Sequence, residues 1–208
     1  MALVLKVKVY LEQLNKPTEG AMSYYFGGPL EIPLERARIL INNDVKDAIE
    51  GRLKVKVEVK DDSVVLTPTN ESKPDSVIKA RQIIQALSLG FPREDALELL
   101  SDDKYLETID LGDYVGKDKE NHMSRIRALI IGENGRVKRN LEELTETRIA
   151  VKDRVVGIIG DYDNARAARE AVVMLINGKQ PSTIYRWLQR WRRELNLRRV
   201  EGGFTGYT

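Results

Sequence analysis

The chain of 208 residues repeats itself. ARILINNDV (37–45) lines up with RALIIGENG (127–135). Further on, VKVEVKDDSVVLTP (55–68) lines up with TRIAVKDRVVGII (147–159), and the two share Val59-Lys60-Asp61 and Val151-Lys152-Asp153. The apolar segment VIKARQIIQALSLG (77–90) matches ARAAREAVVMLING (165–178). Each ends in glycine, the residue that most readily turns the chain left-handed beyond a helix. A proline then opens a further helical stretch in both, Pro92 before REDALELL and Pro181 before STIYRWLQRW. Two diverged copies of roughly 90 residues, each of ordinary domain size, must share one architecture.

Each copy reads strand–helix–helix–strand–strand–helix. In the second, YLETIDL (105–111) has strand character, and residues 112–123 read as a polar surface loop with two glycines. Helices are expected over about 124–131 and 135–145. TRIAVKD (147–153) and RVVGIIG (154–160) alternate as strands joined by a tight turn. Residues 161–177 form the long helix, with Ala165, Ala168, Val172, Leu175 and Ile176 on one face and Asp161 as its cap. This order makes an α+β domain, a three-stranded antiparallel sheet with helices packed on one face. The expected domains are 1–103 and 104–208. The start, MALVLKVKVYLEQL, alternates and reads as an extra strand of the first domain.

The loop Gly132-Glu133-Asn134-Gly135 carries the chemistry. Its glycines let the backbone turn tightly between two helices and lie close to a ligand. The following helix aims its unpaired N–H groups and positive dipole end at the loop. Arg136, Lys138 and Arg139 follow at once, and Arg125 and Arg127 precede it. Such a corner suits a phosphate backbone. Ile131, Val137, Ile149 and Val151 are the candidates for an apolar groove under the bases; the competing reading of such residues is plain core. In the alignment above, the first copy has Asn42 and Val45 where the second has Gly132 and Gly135, with Asp44 between them. A β-branched residue and a negative charge suit neither the turn nor a phosphate, so the first copy is expected to have lost the clamp. A GxxG between two helices, ahead of a β-hairpin and a long helix, resembles the type I KH domain (β-α-α-β-β-α), a module that clamps about four single-stranded nucleotides.

The segment PSTIYRWLQRWRRELNLRR (181–199) carries Arg186, Arg190, Arg192, Arg193, Arg198 and Arg199. Tyr185, Leu188, Trp191 and Leu195 draw an apolar stripe, which leaves arginines such as Arg186, Arg190 and Arg193 outside to meet phosphates; a merely solvated face is the competing reading. Trp187 falls off the stripe, free to stack on a base or to fill space between the domains. Charge is divided unevenly, with 15 basic and 19 acidic side chains over 1–111 against 19 and 13 over 112–208. Only the second half is suited to a polyanion.

Several chemistries are excluded by what is missing. There are no cysteines, hence no disulfide, thiolate metal site or cysteine nucleophile. One histidine, His122, cannot furnish a histidine metal site and reads as an ordinary loop residue. No Walker loop, zinc signature or triad pattern stands out, so neither catalytic residues, nor metal ligands, nor a cofactor are expected. No run of about 18 apolar residues would cross a membrane. Lys6 and Lys8 spoil the N-terminus as a secretory signal, which points to the cytoplasm.

IGENGRVKRNLEEL (131–144), VVGIIGDYDNARAAREAV (155–172) and STIYRWLQRWRREL (182–195) occur together. In that combination the chain resembles the small-subunit ribosome assembly factors known as partner of the Nob endonuclease, in their archaeal form. The two-copy layout with a glycine-less first loop is similar too. The resemblance implies two tandem type I KH domains, the first degenerate, and a basic C-terminal helix. It implies binding of single-stranded RNA in the 3′ region of the small-subunit rRNA precursor. It also implies presentation of the cleavage site to the Nob endonuclease and engagement of the alpha subunit of initiation factor 2. Glu133 departs from the basic residue usual at that loop position. Other readings stay open: a KH protein of RNA decay or translation, or a protein–protein scaffold that binds no RNA.

Overall fold

A computed structural model describes residues 28–114 and 119–202. The expected N-terminal strand and the GGFTGYT tail lie outside the described residues. The chain divides into two compact units, the first ending at Leu100 and the second beginning at Ser101, except that Leu89–Phe91 belong to the second.

The first unit comprises β1 (Leu30–Pro33), a single helical turn α1 (Ala37–Leu40), α2 (Asn43–Leu53), β2 (Val55–Val59), β3 (Ser63–Pro68), α3 (Ser76–Ser88) and α4 (Arg93–Leu97). Its sheet is antiparallel with order β1-β3-β2. Alternation decides its core: Val55, Val57, Val64 and Leu66 are buried beneath Val45, Ile49, Ile83 and Ile84 of the helices, while Lys56 and Glu58 face water.

The second unit comprises β4 (Lys104–Asp110), α5 (Lys119–Ile131), α6 (Arg136–Thr145), β5 (Arg148–Lys152), β6 (Val155–Asp161), α7 (Tyr162–Ile176) and α8 (Pro181–Gly202). Its sheet order, β4-β6-β5, repeats that of the first, with every pair antiparallel. Ile109, Ile149, Val156 and Ile158 meet Ile126, Ile130, Leu141, Ala168, Val172, Ile184 and Leu188 in one core. The expected β-α-α-β-β-α order is therefore present in both copies.

Three local expectations need correction. Helix α5 begins at Lys119, so residues 119–123 of the polar stretch read as loop are helical, and Leu111–Tyr114 form a tight helical turn before it. Asp161 stands at the cap position of α7 but makes no side-chain cap bond there; its carboxylate accepts from Lys104 Nζ at 2.6 Å. Trp187 packs against the core of its own unit.

The pairing of the two copies also shifts. Val59 pairs with Val64 as Val151 pairs with Val156, and Glu50 accepts from Val57 N–H as Glu142 accepts from Ile149 N–H. In that register Val45 matches Val137, not Gly135. Val45 is wholly buried in α2, and Asn42 caps that helix by accepting from Val45 N–H at 3.1 Å. The first copy has no GxxG because its first helix is cut to one turn. The run from Ile32 to Val45 does what the much longer run from Ile109 to Val137 does in the second copy.

Candidate nucleic-acid interface

The two glycines of the loop have different reasons for being glycine. Gly132 takes φ 72°, ψ 175°, a conformation essentially closed to side chains. A Cβ there would lie 2.3 Å from Val137 Cγ2 and 2.9 Å from Val137 N. Gly135 takes φ 74°, ψ 13°, and a Cβ there would meet nothing within 4 Å. Gly132 thus seats the loop on α6, whereas Gly135 turns the chain in open space where a ligand backbone can approach. Asn134 between them is also left-handed, at φ 51°, a conformation asparagine tolerates. The turn closes on itself, with Gly135 N–H donating to Gly132 O at 3.2 Å and Arg136 N–H to Glu133 O. Beyond it lie the first-turn amides of α6, which lack intrahelical partners as in any helix.

The cations around this loop differ in their availability. Arg136 and Arg125 are exposed and have no hydrogen-bond or ion-pair partner among the described residues. Arg139 is exposed but donates from Nη2 to the Asn134 carbonyl at 2.9 Å, which folds it back over the loop. Arg127 is half-buried and donates to Ser124 Oγ at 3.2 Å. Lys138 Nζ is held by Glu142 Oε1 at 2.9 Å, so its charge is already neutralised. Glu133 is exposed.

The apolar candidates separate as well. Ile131 is 37% exposed at the end of α5, and Leu129 beside it is also exposed. Val137 and Val151 are half-buried against the core. Ile149 is a correction: at 2% exposure its side chain belongs to the core and cannot line a groove. Ile149 pairs with Ile158 across the ladder and shares the core with it and with Leu141.

Strand β5 is an edge of its sheet. Ile149 N–H donates to Glu142 Oε1 at 2.8 Å and so points away from β6. Backbone groups alternate sides in an antiparallel ladder, so the N–H and C=O of Val151 also face the open edge. Val151 thus offers a backbone donor and acceptor on that open edge.

Helix α8 buries Ile184, Leu188 and Leu195 and leaves Arg186, Arg190 and Arg193 exposed. Their spacing of four and three residues puts those arginines on one helical face. Arg192 is different. It pairs with the Glu146 carboxylate and reaches the Glu143 carbonyl at 3.4 Å. A guanidinium there complements the negative end of α6 and ties α8 to the helix that begins at the loop. In the sequence Arg192 is one of six tail arginines and Glu142 is a glutamate at i+4 from a lysine, so neither contact carries a sequence signal.

Among the described residues no group of three or more histidine, cysteine or acidic side chains could hold a metal ion, and no helix is long and apolar enough to cross a membrane. A family profile described as the eukaryotic type KH domain (KH-domain type I), for the second such domain of PNO1 proteins, matches residues 105–193. A KH domain-containing protein of Methanocaldococcus jannaschii is 38% identical over 176 residues, 83% of this chain and 77% of that protein. The pre-rRNA-processing protein PNO1 of Eremothecium gossypii is 37% identical over 137 residues, 64% of this chain; the chain spans about half of it, 51%. Among solved structures, the a/eIF2alpha–aDim2p–rRNA complex of Pyrococcus horikoshii contains a chain similar to this one, with a TM-score of 0.71 and 31% identity. The match covers 80% of this chain and 94% of that one.

Proposed function

The chain belongs to the PNO1/Dim2 family of KH-domain proteins, and from that premise we propose that it binds single-stranded rRNA precursor at the GENG loop of its second unit and acts in small-subunit ribosome biogenesis. The observation that carries this reading is the pair of positive-φ glycines that open the N-terminus of α6 beside Arg136, which is exposed and whose side chain has no partner among the described residues. Phosphates dock on the first-turn amides and on Arg136, with Arg125 and Arg139 alongside. Bases lie over Ile131, Val137 and Val151 and meet the backbone of Val151 on the open edge of β5. Arg186, Arg190 and Arg193 extend the contact along neighbouring RNA.

The role is binding and presentation rather than catalysis, and the site of action is the cytoplasm. The RNA is the 3′ region of the small-subunit rRNA, which the protein holds for the Nob endonuclease. A pre-rRNA-processing relative supports this reading. The alpha subunit of initiation factor 2 is a second partner, a proposal supported by the Pyrococcus complex. The first unit, which has no GxxG, serves as a structural or protein-docking module.

The test is fluorescence anisotropy with a short single-stranded RNA matching the 3′ end of archaeal small-subunit rRNA, beside a scrambled RNA. With four to six phosphates engaged, log affinity falls with log salt at a slope of about −3 to −4. Asn134→Asp keeps the left-handed turn and adds a charge that repels phosphate, so it should abolish the preference for the matching RNA. Binding that is insensitive to salt, or unchanged in Asn134→Asp, would refute the assignment.

A further inference from the structure

We propose that Glu142 is a positioning residue for RNA binding: its carboxylate pins the edge strand β5 to α6 and so sets the width of the groove that bases enter. The proposal rests on the RNA-binding reading above. Its geometry is a three-membered clasp. Glu142 Oε1 accepts from the backbone N–H of Ile149 at 2.8 Å and from Lys138 Nζ at 2.9 Å. The glutamate side chain is only 16% exposed, so the clasp is sheltered from water.

The same clasp occurs in the first unit. Glu50 Oε1 accepts from Val57 N–H at 2.8 Å, and Lys46 Nζ stands 3.9 Å from the same oxygen. Lys46, Glu50 and Val57 occupy the register positions of Lys138, Glu142 and Ile149. The first unit has no GxxG loop, yet the clasp persists there. Its primary work is therefore on the fold, to fix the distance between the second helix and the edge strand.

In the second unit that distance acquires a further meaning. Helix α6 carries the phosphate loop at its N-terminus, and β5 carries the open backbone of Val151 two residues beyond the pinned amide. On the reading above, phosphates meet the N-terminus of α6 while bases meet Val137 of α6 and Val151 of β5, and Glu142 joins those two elements. The clasp also occupies the N–H of Ile149, leaving Val151 as the next outward-facing backbone position. Lys138 acts here through Glu142 and not on phosphate.

Three variants test this, each measured for melting temperature and for affinity toward matching and scrambled RNA over a salt series. Glu142→Ala should cut the preference for matching over scrambled RNA about fivefold to tenfold without reducing the salt slope, because no phosphate contact is removed. Glu142→Gln, which still accepts from Ile149 N–H, should restore most of that preference. Glu50→Ala should lower the melting temperature by a similar amount and leave RNA preference as in the wild type. The proposal is overturned if Glu142→Ala retains full preference, if glutamine fails to rescue it, or if Glu50→Ala loses preference equally. Wild-type protein that binds neither RNA would instead sink the RNA-binding reading itself.

Discussion

Gly132→Ala offers a sharp test of the loop's construction. Two separate terms oppose the added methyl. The backbone at φ 72°, ψ 175° lies in a region used essentially by glycine alone, where another residue costs about 1–3 kcal/mol. The methyl would also stand 2.3 Å from Val137 Cγ2, 2.8 Å from Val137 Cβ and 2.9 Å from Val137 N. The last of these is main chain at the start of α6 and cannot rotate away, so overpacking adds about 1–3 kcal/mol. The expected loss is about 2–6 kcal/mol, a large part of an ordinary domain's stability. Gly135→Ala meets nothing within 4 Å and should cost only the left-handed term, about 1–2 kcal/mol. Denaturant unfolding followed by tryptophan fluorescence is a suitable assay, because the chain's two tryptophans, Trp187 and Trp191, both pack against the second unit's core. Adding Val137→Ala to Gly132→Ala removes the nearest contact but leaves the other two, so the pair should show partial relief. Equal costs at Gly132 and Gly135, or full relief in the double variant, would refute this account of the loop.

Other consequences concern single side chains. Arg136→Ala should weaken RNA binding for all sequences and reduce the magnitude of the salt slope by about 0.7, one phosphate on a single strand, whereas Lys138→Ala should leave the slope unchanged; a salt titration separates them. Ile149→Ala should cost about 2–5 kcal/mol of stability as a core cavity. Ile131→Ser should change stability by less than about 0.5 kcal/mol and weaken RNA binding about fourfold, the worth of roughly one buried methylene. Glu31 accepts from Ser63 Oγ at 2.6 Å and pairs with Lys60 at 2.9 Å, and these contacts, that from Ser63 foremost, hold its carboxyl below the usual 4.5. The lowered folded value means that these contacts stabilise the protein above the unfolded pKa and that the contribution is lost as pH falls through the folded one. An NMR titration should place the Glu31 midpoint below that of an ordinary glutamate, and Ser63→Ala should move it upward.

The element order was legible because its main signals occur twice. Apolar residues alternate over 55–59, a short apolar run stands at 149–151, and glycine and proline punctuate the same places in each copy. The register between the copies was less legible. Matching Val45 to Gly135 preserved the letters of the first helix, yet the first copy has lost most of that helix, so alignment by letters slipped against alignment by hydrogen bonds. The polar run before His122 lacks an apolar stripe, which hid the start of α5 at Lys119. Ile149 and Val151 look alike in sequence. Only the three-dimensional packing shows that one is core and the other half-open. Arg192 and Glu142 were illegible for a related reason, since their partners, Glu146 and the Ile149 amide, lie on other elements.

The central claim is that RNA meets the second unit at the GENG loop and the open edge of β5. Amide chemical-shift mapping of the full chain with a short single-stranded RNA tests it most directly. The largest shifts are expected at Asn134 to Lys138 and at Val151, with little change at the corresponding positions of the first unit, 42–46 and Val59. Shifts centred on the first unit, or confined to α8, would contradict it.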